Sequence, residues 1–260
     1  MITATGITAR YGRKTVLSQL DFSARPGQVT AIVGPNGSGK STLLKAITGE
    51  LPITGDVQVE GFDIRATPAW QLAGVRAVLP QSTPMAFPFQ ALEVVQLGLS
   101  HGVSSDPTLP RRALARVGLS GYETRFCQEL SGGEQQRVQL ARVLCQVWEP
   151  VVYSSPRWLM LDEPVSSLDI GHQLQVMQIA RDYADAGGGV IAVMHDLNLT
   201  IMFADTVVLM NAGAILADGK PDEVLTEIAL SQVYNCSLRT SRIQPNGGWF
   251  IFPQQADLKR

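Results

Sequence analysis

The sequence is short of charge and of cysteine. Charged residues make up 17% of its 260 positions, below the roughly 25% of an average soluble domain. Hydrophobic residues reach 45%, which excludes a disordered chain. Against 21 Lys and Arg stand 23 Asp and Glu, for a net charge of -2, so there is no basic excess with which to grip a nucleic-acid backbone. Cysteine occurs only at Cys127, Cys145 and Cys236, with no CxxC pair. That count argues against a disulfide framework or zinc ribbon and for reduced, cytosolic thiols. No apolar run approaches the ~18 residues of a membrane span, and the first residues lack the basic start and apolar run of a leader. Any membrane role is therefore expected to come through a partner.

What is present is a succession of buried runs and helical spacings. Residues 15–22 alternate apolar and polar, and Val29-Thr30-Ala31-Ile32-Val33 is a β-branched run that reads as a buried strand. A glycine-rich turn ends it, and Leu43, Leu44 and Ile47 then fall at helical spacing. Residues 55–61 alternate like a strand between turns, and an apolar run over 75–79 stops at Pro80-Gln81. Between 82 and 156 the pattern predicts helices over 92–99, 110–117 and 134–147 and no extended runs, as in a helical insertion within a sheet-bearing core. Strand signals return at 158–161, 189–194 and 206–210, with a helix predicted over 171–186. The whole predicts an α/β fold with a mostly parallel sheet. The C-terminal stretch shows only a Pro245-Asn246-Gly247-Gly248 turn.

Gly34-Pro35-Asn36-Gly37-Ser38-Gly39-Lys40-Ser41 fits G-x-x-x-x-G-K-[ST] and sits between a strand and a helix start. Glycines let backbone N–H groups turn toward phosphate oxygens, Lys40 reaches the terminal phosphates, and the Ser41 hydroxyl can ligate Mg²⁺. The strand over 158–161 ends in Asp162-Glu163, one acid for the metal and the next for an attacking water. Leu130-Ser131-Gly132-Gly133-Glu134 opens a helix with a capping-type glutamate.

Phosphate loop, LSGGE, Leu159-Met160-Leu161-Asp162-Glu163-Pro164 and an isolated His195 after a strand, in that order, resemble the ATP-binding cassette (ABC) ATPases of transporters along nearly the whole chain. The resemblance implies a P-loop core with an antiparallel β subdomain and an inserted helical subdomain. Its boundaries would be a cassette over 1–232, with core 1–82 and 157–232 and helical part 83–156, then an extension over 233–260. ATP and Mg²⁺ are the implied ligands. Tyr11 resembles the aromatic that stacks on adenine, and Gly34 through Thr42 the phosphate contacts. Gln81 resembles the glutamine that touches Mg²⁺ and reports to the membrane partner, Glu163 the catalytic base, and His195 the switch histidine near the γ-phosphate. Ser131, Gly132 and Gly133 imply a homodimer in which each subunit covers the nucleotide of the other, and Asp169 resembles the aspartate that couples the two sites. Val165 stands where relatives often have Thr. His101 and His172 are expected to be surface residues.

Other ATPases of this superfamily fit less well. No coiled coil splits the chain, a second cassette is missing, and a small-molecule kinase has no use for LSGGE. The segment 80–89 and the long link over 147–158 resemble the haem-import ATPases of Gram-negative bacteria. That resemblance implies two integral-membrane permease subunits, a periplasmic haem-binding protein acting indirectly, no nucleic acid, and a place on the cytoplasmic face of the inner membrane. Importers of ferric siderophores and cobalamin are the neighbouring alternatives.

Overall fold

Strand β1 (Ile2–Tyr11) turns back at Gly12, where φ is +59°, into the antiparallel β2 (Lys14–Ala24). A computed structural model describes residues 1–81, 87–102, 106–243 and 248–258. β3 (Val29–Val33) leaves this pair and runs through the glycine loop into helix α1 (Lys40–Thr48). β4 (Ile53–Val59) returns beside β1, and β5 (Phe62–Asp63) beside β4, to give the order β2-β1-β4-β5. After α2 (Ala69–Ala73), β6 (Arg76–Leu79) enters a second sheet. Then come α3 (Ala91–His101), α4 (Leu109–Arg116) and α5 (Gly132–Gln146), which pack on one another.

A small hairpin, β7 (Val151–Val152) with β8 (Ser155–Pro156), precedes β9 (Trp158–Asp162). The chain continues through α6 (Ile170–Asp185), β10 (Gly189–Val193), α7 (Leu197–Phe203), β11 (Thr206–Asn211) and β12 (Ala214–Gly219). It ends with α8 (Pro221–Val224), α9 (Glu227–Tyr234) and the antiparallel pair β13 (Cys236–Ile243) and β14 (Gly248–Leu258). Among the described residues no helix is long and apolar enough to cross a membrane.

The second sheet has the order β12-β11-β3-β10-β9-β6 and is parallel except for β12. Its central strands β3, β10 and β9 are buried along their whole length, which is why they read as continuous apolar runs without alternation. The alternation is there nonetheless, between two apolar environments. Ile32, Met160, Ile191 and Val208 join one cluster with α1 and the antiparallel sheet. Val33, Leu161, Ala192 and Leu209 join the other, with the helices.

Three features depart from the sequence reading. The stretch expected to lack extended structure contains the β7–β8 hairpin, made possible by left-handed Tyr153 and Ser154 (φ 49° and 63°) at its turn. The strand expected from Gly55 begins earlier and runs through that glycine, whose φ is +96°, opposite a register shift in β1. β1, β12 and the α8–β14 region are additional elements. Ser82 through Ala86 and the turn residues Pro245, Asn246 and Gly247 lie outside the described residues.

The topology decides where the site lies. β3, β10, β9 and β6 are adjacent and parallel, so the residues that follow each of them gather along one sheet edge. Those residues are the 34–39 loop, His195, Asp162 with Glu163, and Gln81. A ligand in an open α/β sheet binds at this carboxyl edge.

Candidate active site

The phosphate loop is shaped by backbone that only glycine takes readily. Gly34, Gly37 and Gly39 have φ of +148°, +79° and +104°, and a methyl on Gly34 would collide with the carbonyl of Met210. The loop is braced from behind, since Gly213 N–H donates to Ser38 O at 2.9 Å. Lys40 folds back over it, its Nζ donating to Gly34 O at 2.9 Å and Pro35 O at 3.1 Å. Burial pulls the Lys40 ammonium below its usual range, while Glu163 and Asp162 pull the other way. Ser38 is 2% exposed, and among the described residues its Oγ has no hydrogen-bond partner. An inward-facing amide loop, a desolvated cation and an orphaned hydroxyl together fit a polyphosphate.

Across the loop, the Ser41 hydroxyl donates to Asp162 Oδ1 at 2.9 Å. Burial, with a contribution from Glu163, raises the Asp162 carboxyl above its ordinary range, against the Ser41 hydrogen bond and the charges of Lys45 and Lys40. Among the described residues no three His, Cys, Asp or Glu side chains gather as a metal site. Ser41 and Asp162 offer a pair of oxygen ligands, which suits a hard cation that keeps its waters and takes its other ligands from phosphate.

Glu163 is the hub. Its Oε2 accepts from Gln81 Nε2 at 2.9 Å and its Oε1 lies 2.6 Å from His195 Nε2. Glu163 itself has φ +53°, a left-handed conformation that costs a non-glycine residue roughly 1–2 kcal/mol. Surrounding bonds hold it there: its N–H donates to Val193 O at 3.2 Å, and its carbonyl accepts from Gln136 Nε2 at 3.0 Å and Ser166 Oγ at 3.2 Å. Sequence reasoning assigned no role to Gln136; its place in Gly133-Glu134-Gln135-Gln136, two residues beyond the capping glutamate, is the signal that was available.

Other expected site residues stand apart from this cluster. Ser131 caps α5, with Glu134 Oε2 accepting from its N–H and its hydroxyl at 2.8 Å each. Those Ser131 bonds, and a third from Tyr122, hold the Glu134 carboxyl below its usual range. Among the described residues a methyl on Gly132 would meet nothing within 4 Å, whereas one on Gly133 would lie 3.1 Å from Ser167 O. Asp169 caps α6, and its carboxylate bonds the backbone N–H and ring Nδ1 of His172, which lower its pKa. His172, expected as a surface residue, is partly exposed and has Asp169 as its partner. Tyr11 lies half exposed at the end of β1. Cys127 and Cys145 are buried free thiols, and burial pushes Cys145 up to about 11.

A strand-loop-helix phosphate cradle beside a Ser–Asp oxygen pair, with a clamped glutamate at the next strand end, defines a P-loop nucleoside-triphosphate hydrolase. The ABC transporter family model matches residues 17–166, and the chain belongs to that family, as a transporter ATPase that binds and hydrolyses ATP. The hemin import ATP-binding protein HmuV of Jannaschia sp. (strain CCS1) is 59% identical over 257 residues, covering 98% of this chain and 95% of that one. The protein of the same name from Roseobacter denitrificans is 55% identical over 255 residues, with 98% of each chain covered. Among solved structures, the dimeric structure of MJ0796, a bacterial ABC transporter cassette, matches with a TM-score of 0.73 at 26% identity, over 85% of this chain and 99% of that one.

Proposed function

We propose that this ATPase works as a homodimer on two membrane-embedded permease subunits and drives haem uptake from the cytoplasmic face of the inner membrane. The observation that carries the cargo is the full-length match to hemin import ATP-binding proteins. Within the chain, residues 1–82 and 157–232 serve as the catalytic core, 83–156 as the helical part, and 233–260 as an extension. A periplasmic haem-binding protein takes part only through the permease, and nucleic acid has no place in the scheme.

The geometry supports a division of labour. Lys40 exchanges the Gly34 and Pro35 carbonyls for phosphate oxygens, and Pro35, Asn36 and Thr42 complete the cradle around Ser38. Ser41, Asp162 and Gln81 would hold Mg²⁺, which neutralises charge on the phosphates when bound. Glu163 takes the proton of the attacking water. His195, at 2.6 Å, orients the glutamate and faces the terminal phosphate. Tyr11 supplies the flat face for adenine. Ser131, Gly132 and Gly133 of one subunit close over the nucleotide of the other, and Asp169 couples the two sites.

The test is reconstitution with the cognate permease in proteoliposomes. Haem-loaded periplasmic protein is expected to stimulate ATP hydrolysis; stimulation by a ferric siderophore or cobalamin instead would overturn the cargo. The permease contact has its own test. Phe87 is 67% exposed and meets Phe89 edge-to-face at 6.3 Å, just beyond Gln81 in sequence. Met85 and Ala86 lie outside the described residues. An exposed aromatic pair on a water-soluble surface suits an apolar helix of the membrane subunit. Phe87→Asp is expected to leave ATP binding and Tm unchanged and to abolish co-purification with the permease.

A further inference from the structure

The extension that follows α9 is tied to the catalytic edge through one side chain. Asn198 donates from Nδ2 to Ile251 O at 3.2 Å and accepts at Oδ1 from Ile251 N–H at 2.9 Å. It thereby pairs with strand β14 as a neighbouring strand would. Ile251 is buried in the helix-side core, which also includes Leu230 and Val233 of α9. Asn198 lies in the first turn of α7, and that turn is fixed from within as well. Asp196 Oδ1 accepts from the N–H groups of Asn198 and Leu199 at 2.8 and 2.9 Å, and the fully buried Thr200 donates to Asp196 O at 2.8 Å. His195 immediately precedes this cap. A second contact ties the same region to the phosphate loop: the phenol of Tyr234, the last residue of α9, lies against the Gly34 backbone amide, and burial pushes it up to about 12.

We infer that the β13–β14 hairpin is a strut for the switch histidine, with Asn198 as the positioning residue that fixes the first turn of α7 and so holds His195 against Glu163. A helix end with no outside support frays and moves over the first turn. The His195–Glu163 contact, 2.6 Å long, is lost once that turn carries the ring about 1 Å away, since a separation of about 3.6 Å is no longer a hydrogen bond. The inference rests on the reading of His195 as the residue that orients Glu163. Asn198 touches no reacting group and acts through its neighbour.

Asn198→Asp keeps the side-chain shape and removes its N–H donors. Hydrolysis by the full-length chain is expected to fall between about tenfold and a hundredfold in kcat, as for a misplaced catalytic group. KM for ATP is expected to stay within about twofold. Amide exchange over residues 248–258 should rise. In a protein labelled at histidine, the His195 ring resonance should shift while that of His172 stays. In a His195→Ala chain, the same substitution should leave the residual rate unchanged, because both changes act on one contact. An unchanged kcat alongside faster exchange in the hairpin would overturn the strut, as would an equal loss in the His195→Ala background. A native kcat in His195→Ala alone identifies the other failure, that of the histidine reading on which the strut depends. Asn198→Ser, too short to make both bonds, carries the same comparison if the aspartate chain does not fold.

Discussion

At the scale of single residues, the site is held in a state that costs the empty protein stability. Asp162 is buried beside Glu163, and its carboxyl is raised above 3.8. An acid with a raised folded pKa binds its proton more tightly folded than unfolded, so stability falls as the pH climbs from the ordinary value through the folded one. The full cost is present at neutral pH. Asp162→Asn is therefore expected to raise the Tm of the nucleotide-free protein at pH 7 by a few degrees and to remove the further rise that ATP with Mg²⁺ gives the native chain. Differential scanning calorimetry with and without nucleotide reads both. Glu163→Gln should bind ATP normally and hydrolyse it at least ~100-fold more slowly, because an amide cannot take the water's proton; single-turnover kinetics decide that.

These residues were legible because type and order suffice to find them. A strand, a glycine loop, Lys40-Ser41 and a later Asp162-Glu163 leave few alternatives, and the parallel sheet then brings them to one edge. The left-handed backbone of Glu163 and the Gln136 amide that braces it were not legible. Nothing in Leu161-Asp162-Glu163-Pro164 announces a positive φ, and a single hydrogen bond from a distant helix leaves no periodic trace.

Among elements, the reading followed burial. β3, β9 and β10 are walled in on both faces and appear as apolar runs, whereas β12 alternates only between half-buried and exposed positions and left no strong signal. β4 starts at Ile53, two residues before the sequence places it, because glycine usually punctuates a strand and here Gly55 lies within one. A methyl on Gly55 would sit 2.6 Å from the carbonyl oxygens of Thr5 and Gly6. Gly55→Ala should lower stability by ~2 kcal/mol or more, read as a shift in urea midpoint. Gly132→Ala, at the open first turn of α5, makes the contrast. It should leave the midpoint within ~0.5 kcal/mol of native yet reduce ATP hydrolysis, because in the proposed homodimer its free surface faces the second subunit's nucleotide. Equal activity in the alanine chain would remove Gly132 from the site.

For the whole molecule, the phosphate cradle and the Ser131 turn belong to different helices, α1 and α5, and the Ser131 side chain is spent on capping its own helix. That separation makes the shared-site arrangement testable by mixing. Lys40→Ala and Ser131→Arg homodimers should each be inactive, and a mixture should regain one intact site per heterodimer, about a quarter of native activity if subunits exchange freely and the two sites act independently. No recovery, with exchange verified by cross-linking, would count against the arrangement.

The strand order also sets a timetable for synthesis. The antiparallel sheet is closed by residue 63, so it can form while the rest of the chain is still being made. β3 cannot be satisfied so early, because its hydrogen-bonding neighbours are β10 and β11, residues 189–193 and 206–211. At roughly 5–20 residues per second, Val29–Val33 waits about 8–30 s for its first partner. Five residues of high β-propensity without a charge are the composition that pairs with copies of itself when left exposed. The parallel sheet that gathers the proposed catalytic groups thus leaves β3 of the nascent chain uncovered for that interval, when a low concentration of growing chains or a chaperone over β3 would keep it from pairing with copies of itself until β10 arrives.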